Sequence, residues 1–552
     1  MADFTAVTSW TAEDVQHLAR RAGFGVSPER AAALAAREPG ATVAAWVDGS
    51  DPEVAPTAFD AALAHADPVD QPARGSAPDR AAAVPGPHRY LVDGADAWRN
   101  ELGRAQALLA FRMQYAPDAM AERMALFWHN LFATGQAKVN SVALMLQHFA
   151  TLRSRGLDRF DELHAAMSKD PAMTIWLDGI LNRGGSPNEN YAREAMELFS
   201  LGADNGYVQE DIAQLARALS GWSYTVAQAD LVSDPTSPGR KVASRGTFRV
   251  YDGSARPGEV LWWDLTPDTP PATVPDYRAT GGVTFLGRAF ADINAPIGGQ
   301  VAGEQVLRSI FTSRPELASA FLARRLALHF VTGQAVQADL DALALKIVEL
   351  GFDMRKVMKL ILTSAWFYAP ENRFALVEGP VSWMARAARA LGYGLVAADG
   401  VTAAANRFPA WAEVCDPYGD NAFDLAGMRL LDPAGPNGWK EDVLWLNSNT
   451  VRYRAKVAAA LALGETFRQD GGADRAIFPV DPAAWFPVAP TSPAEVLARL
   501  TALLQPAPIP AAVQSDWLGR LWSGAFTWDD ASRQKARELA FLVLCSPSAQ
   551  VY

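Results

Sequence analysis

Apolar side chains recur at helical spacing through most of this chain, and hardly anywhere do they alternate. Between residues 108 and 132 the series Leu108, Leu109, Phe111, Met113, Met124, Leu126, Phe127, Trp128, Leu131 and Phe132 follows a 3.6-residue period, broken once by Pro117. Further helical stretches are predicted at about 141–155, 158–168, 171–182 and 208–221, and again from Gly303 to the C-terminal end. No strand–helix alternation supports a parallel sheet, and no period of 20–50 residues signals a solenoid. The expected class is mainly α. Thr11-Ala12-Glu13-Asp14 writes a capping box ahead of a first helix ending near Gly23. Ser27-Pro28 opens a second, running to Gly40.

Two stretches depart from this texture. Residues 66–88 are rich in Pro, Ala and Asp without periodicity and read as an exposed loop. From Trp222 to about Ala291 Gly, Pro, Thr and Asp become dense, with short β-like runs at 246–250, 260–263 and 282–286. This second stretch is predicted to be an irregular or small-β insertion and a lid candidate. The expected organisation is an N-terminal helical lobe (1–221), the insertion (222–291) and a C-terminal helical lobe (292–552), the lobes packed as one unit.

The net charge of −11 and the lack of any Lys/Arg run argue against nucleic acid or an anionic membrane as partner. No apolar run reaches membrane-spanning length. The first residues show neither a basic nor an apolar leader segment, so a cytoplasmic, acidic, soluble protein is expected. Two cysteines, Cys415 and Cys545, are too few and too distant for a disulfide scaffold, and neither has a histidine at nucleophile spacing. His-Glu-x-x-His, Cys/His zinc spacing, a P-loop, a dinucleotide fingerprint and Gly-x-Ser-x-Gly are all missing. The sequence therefore names no metal and no cofactor.

The stretch from Ser186 to Gly202 carries the densest chemistry. Ser186 is the expected N-cap, Pro187 the first helical residue, Glu189 the capping-box acid and Gly202 the stop. Tyr191, Ala192, Ala195, Met196, Leu198 and Phe199 form one face. Glu189, Asn190, Arg193, Glu194 and Glu197 form the other. Glu189, Arg193 and Glu197, spaced by four, suit a solvated salt-bridge ladder. Three carboxylates on one enclosed face would also raise a carboxyl pKa, as general acid–base work requires. On that reading Glu194 and Glu197 are catalytic, Arg193 orients an anionic group, and Arg217 on the next helix supplies a second cation. His129, among aromatics in Leu126-Phe127-Trp128-His129-Asn130-Leu131-Phe132, is a fourth catalytic candidate. Asn188, Asn190 and Trp439, the last in the rigid Pro436-Asn437-Gly438-Trp439 loop, are candidate substrate-binding residues.

Several of these stretches together resemble the bacterial domain-of-unknown-function 1800 family. They are His17-Leu18-Ala19-Arg20-Arg21-Ala22-Gly23-Phe24-Gly25, Phe127 to Phe132, Ser168-Lys169-Asp170-Pro171-Ala172-Met173, Pro187 to Gly202, Ala216 to Trp222, and Pro436 to Trp439. They lie in order over nearly the whole chain. The resemblance implies a mainly helical protein whose relatives are often exported and often paired with a sulfatase-like protein. Leu131 stands where the family often has a second histidine. Phe248-Arg249-Val250-Tyr251-Asp252 stands where it tends to show a His-Asp pair.

The functional expectation is an enzyme for hydrolysis or group transfer on a polar, carbohydrate-like small molecule. Its site would lie between the helices at 119–134 and 187–202, under the insertion. Two alternatives remain: a non-catalytic helical binding or scaffold protein locked by its polar helix, and a metal- or cofactor-dependent oxidoreductase clustering His129, Glu194 and another histidine.

Overall fold

The computed structural model describes residues 2–51, 97–227, 231–233, 241–243, 245–251, 259–261, 277–295, 300–392, 422–464 and 481–552. The predicted 66–88 loop, Cys415, Asp252 and Trp262-Trp263 lie outside these residues. Helices dominate what is described, from Ala12–Arg21 near the start to Asp530–Cys545 near the end. None is long and apolar enough to cross a membrane.

Local signals placed most helix ends. Thr11 caps the first helix, with Asp14 completing the box. Pro117 separates Ala97–Tyr115 from Ala119–Leu131, and the Asp118 side chain accepts the Ala121 N–H to restart the chain. Ser141 caps Val142–Arg155 and Asp170 caps Pro171–Trp176. The second helix is shorter than expected. It stops at Ala35, and Glu38-Pro39 starts a separate helix through Val47, because Pro39 lacks the N–H a continuing helix needs.

The 222–291 stretch does carry β structure. Trp222–Ala227 is the centre of a three-stranded antiparallel sheet, flanked by Thr247–Val250 and Glu259–Leu261. Leu231–Ser233 pairs with Lys241–Ala243, and Val283–Phe285 with Arg288–Phe290. The central strand is buried from Trp222 to Val226, so this sheet is built into the molecule. Trp222 Nε1–H donates to Ala302 O, and Gln147 exchanges two hydrogen bonds with the Gly246 backbone.

Among the described residues one large apolar cluster includes side chains from Ala2 to Leu544 and draws on helices of both the 1–221 and 292–552 segments. A small satellite of Val15, Ala19, Val26, Ala31 and Leu34 lies beside it. Buried charge crosses the same interior. Arg386 donates Nε–H to Glu378 Oε2 at 2.8 Å and Nη2–H to Ala549 O, while Arg454 Nη2–H reaches Glu378 O. Glu378 N–H in turn donates to Gln550 O. The segment Pro547–Tyr552 is thereby stitched into the core.

Candidate functional site

The polar helix is shorter than its sequence suggests, and its capping box does not form. The regular turns run Asn190–Glu197 with Glu189 at the N-terminal boundary. Asn182 Oδ1 takes the Asn188 N–H, and Asn188 Oδ1 takes the Asn190 N–H. Side-chain amides thus do the capping expected of Ser186, and Pro187 stays outside the helix. The chain leaves through Gly202 at φ +96°, with the Leu201 and Gly202 N–H groups both on Met196 O.

Burial divides the helix as its pattern requires. Tyr191, Ala192, Ala195, Met196 and Phe199 are buried, and Asn190, Arg193, Glu194 and Glu197 are half-buried. Arg193 reaches Glu189 at 3.2 Å, Glu197 at 3.3 Å and Gln209 Oε1 at 3.0 Å. Gln209 also donates to Glu189, so this ladder ties Asn190–Glu197 to the following helix, Gln209–Ala218. Glu194 differs from its neighbours. Burial, and then the Glu197 charge, raise its pKa against the opposing pull of Arg193. Asn190 Nδ2 donates to Leu177 O at 3.1 Å and approaches Asp178 at 3.4 Å. Arg217 donates to Gln214 and to Thr280 O, linking its helix to the end of the insertion.

His129 lies elsewhere, in a contact that joins two of the stretches named from sequence. Its neighbour Asn130 accepts the Trp439 N–H on Oδ1 at 2.6 Å and donates Nδ2–H to Glu441 Oε1 at 2.9 Å. The loop can come this close because Gly438, at φ +74°, has no Cβ, which would otherwise stand 2.2 Å from Asn130 O. Trp439 then packs edge-on to His129 with ring centroids 5.1 Å apart. Both residues are buried, which places Trp439 against His129 and away from any open surface.

Beyond Asn130 a half-open cleft begins. It is lined by Arg123, Asn130, His329, Gly379, Ser382, Glu441, Asp442, Trp445 and Tyr552, among others. Its empty volume, open mouth included, is about 460 Å³. His329 Nδ1 faces Glu441 Oε1 at 3.5 Å, and His329 Nε2 is buried with no partner among the described residues. Burial, with Arg123 and Arg21 nearby, lowers the His329 pKa despite Glu441. Burial works to raise Glu441, but the hydrogen bonds from His329 and Asn130 and the charge of Arg325 hold it below the usual range. The two shifts favour a neutral imidazole beside an anionic carboxylate, and a proton on Nδ1 would face Glu441.

Two irregular backbone segments position this pair. His329 sits in a π-helical stretch, Ala327–Val331, that follows the helix Pro315–Leu326. Such wide turns re-aim side chains and recur at functional sites. Tyr552 Oη–H donates to His329 O at 3.1 Å and steadies the turn. Asp442, next to Glu441, holds φ +54° and accepts the Val377 N–H on Oδ1. A non-glycine residue in that region costs of order 1–3 kcal/mol and persists only where its surroundings impose it. In the same lining, Arg123 donates Nη1–H to Ser382 Oγ at 2.6 Å and leaves Nε without a partner among the described residues.

His329, Glu441, Arg123 and Asn130 were not singled out from sequence. A signal existed for one of them. Glu441 follows the Pro436-Asn437-Gly438-Trp439-Lys440 loop directly, and an acid at the end of a rigid loop is a positioned acid. Nothing local marks His329, since a π-turn has no sequence signature of its own. Among the described residues no group of three or more His, Cys, Asp or Glu side chains could hold a metal ion. His129 and Glu194 therefore do not form the three-ligand cluster of the oxidoreductase alternative.

A family model described as a protein of unknown function (DUF1800) matches residues 17–551. No curated protein and no solved structure matches the chain.

Proposed function

The chain belongs to this uncharacterised family, and from its geometry we propose that it is an enzyme for hydrolysis or group transfer on a small polar substrate, with His329 as general base. The observation that carries this reading is His329, a residue of the cleft's lining whose Nδ1 faces the Glu441 carboxylate and whose Nε2 has no partner among the described residues. An imidazole oriented this way accepts a proton on Nε2 while the carboxylate stabilises the imidazolium that forms.

In the proposed step, His329 Nε2 takes the proton of a water or substrate hydroxyl as its oxygen attacks an electrophilic centre. Glu441 holds the ring in the required tautomer, and Asn130 shares its carboxylate and fixes it. Arg123 faces the negative charge that develops. Proton return from His329 to the leaving group completes the cycle. The 3.5 Å separation of the pair is long for a hydrogen bond, as catalytic contacts often are before substrate closes them.

The test is turnover of a panel of chromogenic esters, phosphate esters and glycosides. On any substrate found, His329→Gln is expected to lower kcat by about 10²–10⁴-fold with the unfolding curve unchanged. Wild-type turnover by this variant overturns the reading.

A second reading rests on Glu194. Its raised pKa, from burial and from Glu197, supports acid–base action by Glu194 and Glu197 on a polyhydroxylated substrate, with Arg193 and Asn190 beside them. Loss of glycoside turnover in Glu194→Gln, with His329→Gln active, selects this reading over the first.

A further inference from the structure

The cleft holds a positive charge that no carboxylate meets. Arg123 lines it and is only 1% exposed. Its Nη1 is taken by Ser382 Oγ, while Nε and Nη2 bond to nothing among the described residues. Nε and Nη2 share one edge of the guanidinium, the edge that grips two oxygens of a carboxylate or phosphate at once. Around it lie aromatic rings, Tyr552 with its centroid 5.1 Å from Cζ and Phe24 at 5.8 Å. Neither acid of the lining pairs with Arg123. Glu441 is engaged by His329 and Asn130, and Asp442 by the Val377 N–H. Arg21, fully buried 4.4 Å from the same Tyr552 ring, donates to Asn372 O and has no carboxylate partner among the described residues either. Buried cations without a counter-ion are costly to keep.

A helix begins at the same place. Pro380–Leu391, 12 residues long, follows Gly379, and no side chain caps it. Pro380 has no N–H, and the Val381 and Ser382 N–H groups reach no acceptor among the described residues. Such orphan donors, with the aligned peptide dipoles behind them, favour an anion at a helix start. Gly379 and Ser382 both line the cleft, and the 2.6 Å bond from Arg123 to Ser382 Oγ holds the guanidinium against this first turn.

We propose that the substrate of this cleft carries a fixed oxyanion, a carboxylate or a phosphate, held between the Nε–Nη2 edge of Arg123 and the first turn of Pro380–Leu391. The inference rests on the cleft being the reaction site proposed above, although the anion's contacts do not involve His329. Tyr552 ties the two together. Its ring packs beside Arg123 and its hydroxyl donates to His329 O, so one side chain spaces the anion from the base. Analogues without the charge are rejected, because they leave the guanidinium unpaired.

The experiment titrates the full chain calorimetrically with methyl phosphate and, separately, with propionate, at an ionic strength held constant with sodium chloride. Saturable binding of one probe at a single site is expected, and which probe binds identifies the group. Arg123→Gln should weaken it about 10–100-fold, and His329→Gln should keep it. On any substrate that turns over, Arg123→Gln should raise KM, because the lost contact is made by the substrate as well as by the transition state, and the probe should inhibit competitively. Unfolding curves show whether Arg123→Gln is folded. If it is not, a crystal of the parent grown with the probe decides by where the anion lies. Binding of neither probe, undiminished binding in folded Arg123→Gln, an anion bound away from Arg123, or a fall in kcat with KM unchanged overturns the proposal. Normal turnover by His329→Gln with the probe still bound at Arg123 overturns the assignment of the base and supports the anion site.

Discussion

At the scale of single residues, the protein is governed by where histidine is kept neutral. Burial lowers His17 and His129 well below the usual imidazole value and takes His164 down to about 4. His164 Nε2 sits 3.3 Å from Ala195 O, on the buried side of the polar helix. The native state holds these rings neutral, while the unfolded chain takes up protons from about pH 6.5. The unfolded state therefore binds more protons as pH falls. For His164 the stability conferred at neutral pH is lost progressively between about 6.5 and 4. Denaturant unfolding at pH 7 and pH 5 should show lower stability at pH 5, and His164→Asn should flatten the difference. An equal or larger difference in the variant contradicts the assignment. His329 obeys the same sign. Its lowered pKa predicts that the acid limb of kcat/KM falls below pH 6.5. Glu441→Gln, which removes the carboxylate that raises it, should move that limb lower still.

At the scale of elements, two short segments carry opposite energetics. The Arg193 ladder is half-solvated, so Arg193→Ala should change stability by less than about 1 kcal/mol. A loss well above that would show the ladder to be an internal lock, as the scaffold alternative requires. The Gly438 turn is different. Alanine there combines φ +74° with a Cβ at 2.2 Å from Asn130 O, and the backbone must move. Gly438→Ala is expected to cost at least about 1–3 kcal/mol and to weaken turnover beyond that, because Asn130 holds Glu441. Urea unfolding measured beside kcat separates the two effects.

At the scale of the whole molecule, the continuous core makes distant residues answer to one another. Glu378 is fully buried, and its carboxylate and carbonyl receive Arg386 and Arg454. Glu378→Ala leaves the Arg386 guanidinium buried without its carboxylate, while Arg454 keeps the main-chain carbonyl, and should destabilise by roughly 3–5 kcal/mol. Differential scanning calorimetry should show one lowered transition. Two transitions, only one of them shifted, would mean that the segments around the 222–291 insertion unfold separately.

Much of the architecture was legible in the residues. Helical periodicity, Pro117, the Thr11 box and the Gly202 stop are local signals, and a helix end is a local event. The β runs at 246–250, 260–263 and 282–286 were legible too, but the central strand Trp222–Ala227 was not, because its burial on every residue to Val226 leaves no polar–apolar alternation to read. Legibility faded where a polar group chose among competing partners. Ser186 could cap a helix, but Asn182 and Asn188 reached the same backbone first. Glu189, Arg193 and Glu197 were spaced for a ladder, and the ladder formed. Whether that face also does chemistry is decided by what encloses Glu194, which helical spacing does not encode.

By itself the sequence determined a mainly helical chain, most of its helix ends, a β-bearing insertion and its family, since each rests on order and spacing along the chain. Tertiary structure alone decided that His329, Glu441, Asn130 and Arg123 line one cleft, and that the helix Pro380–Leu391 begins beside Arg123. These residues lie up to 318 positions apart in the numbering of the chain, from 123 to 441. They meet through a π-turn, a left-handed aspartate and a glycine that lets a loop approach Asn130, and such contacts are settled by packing.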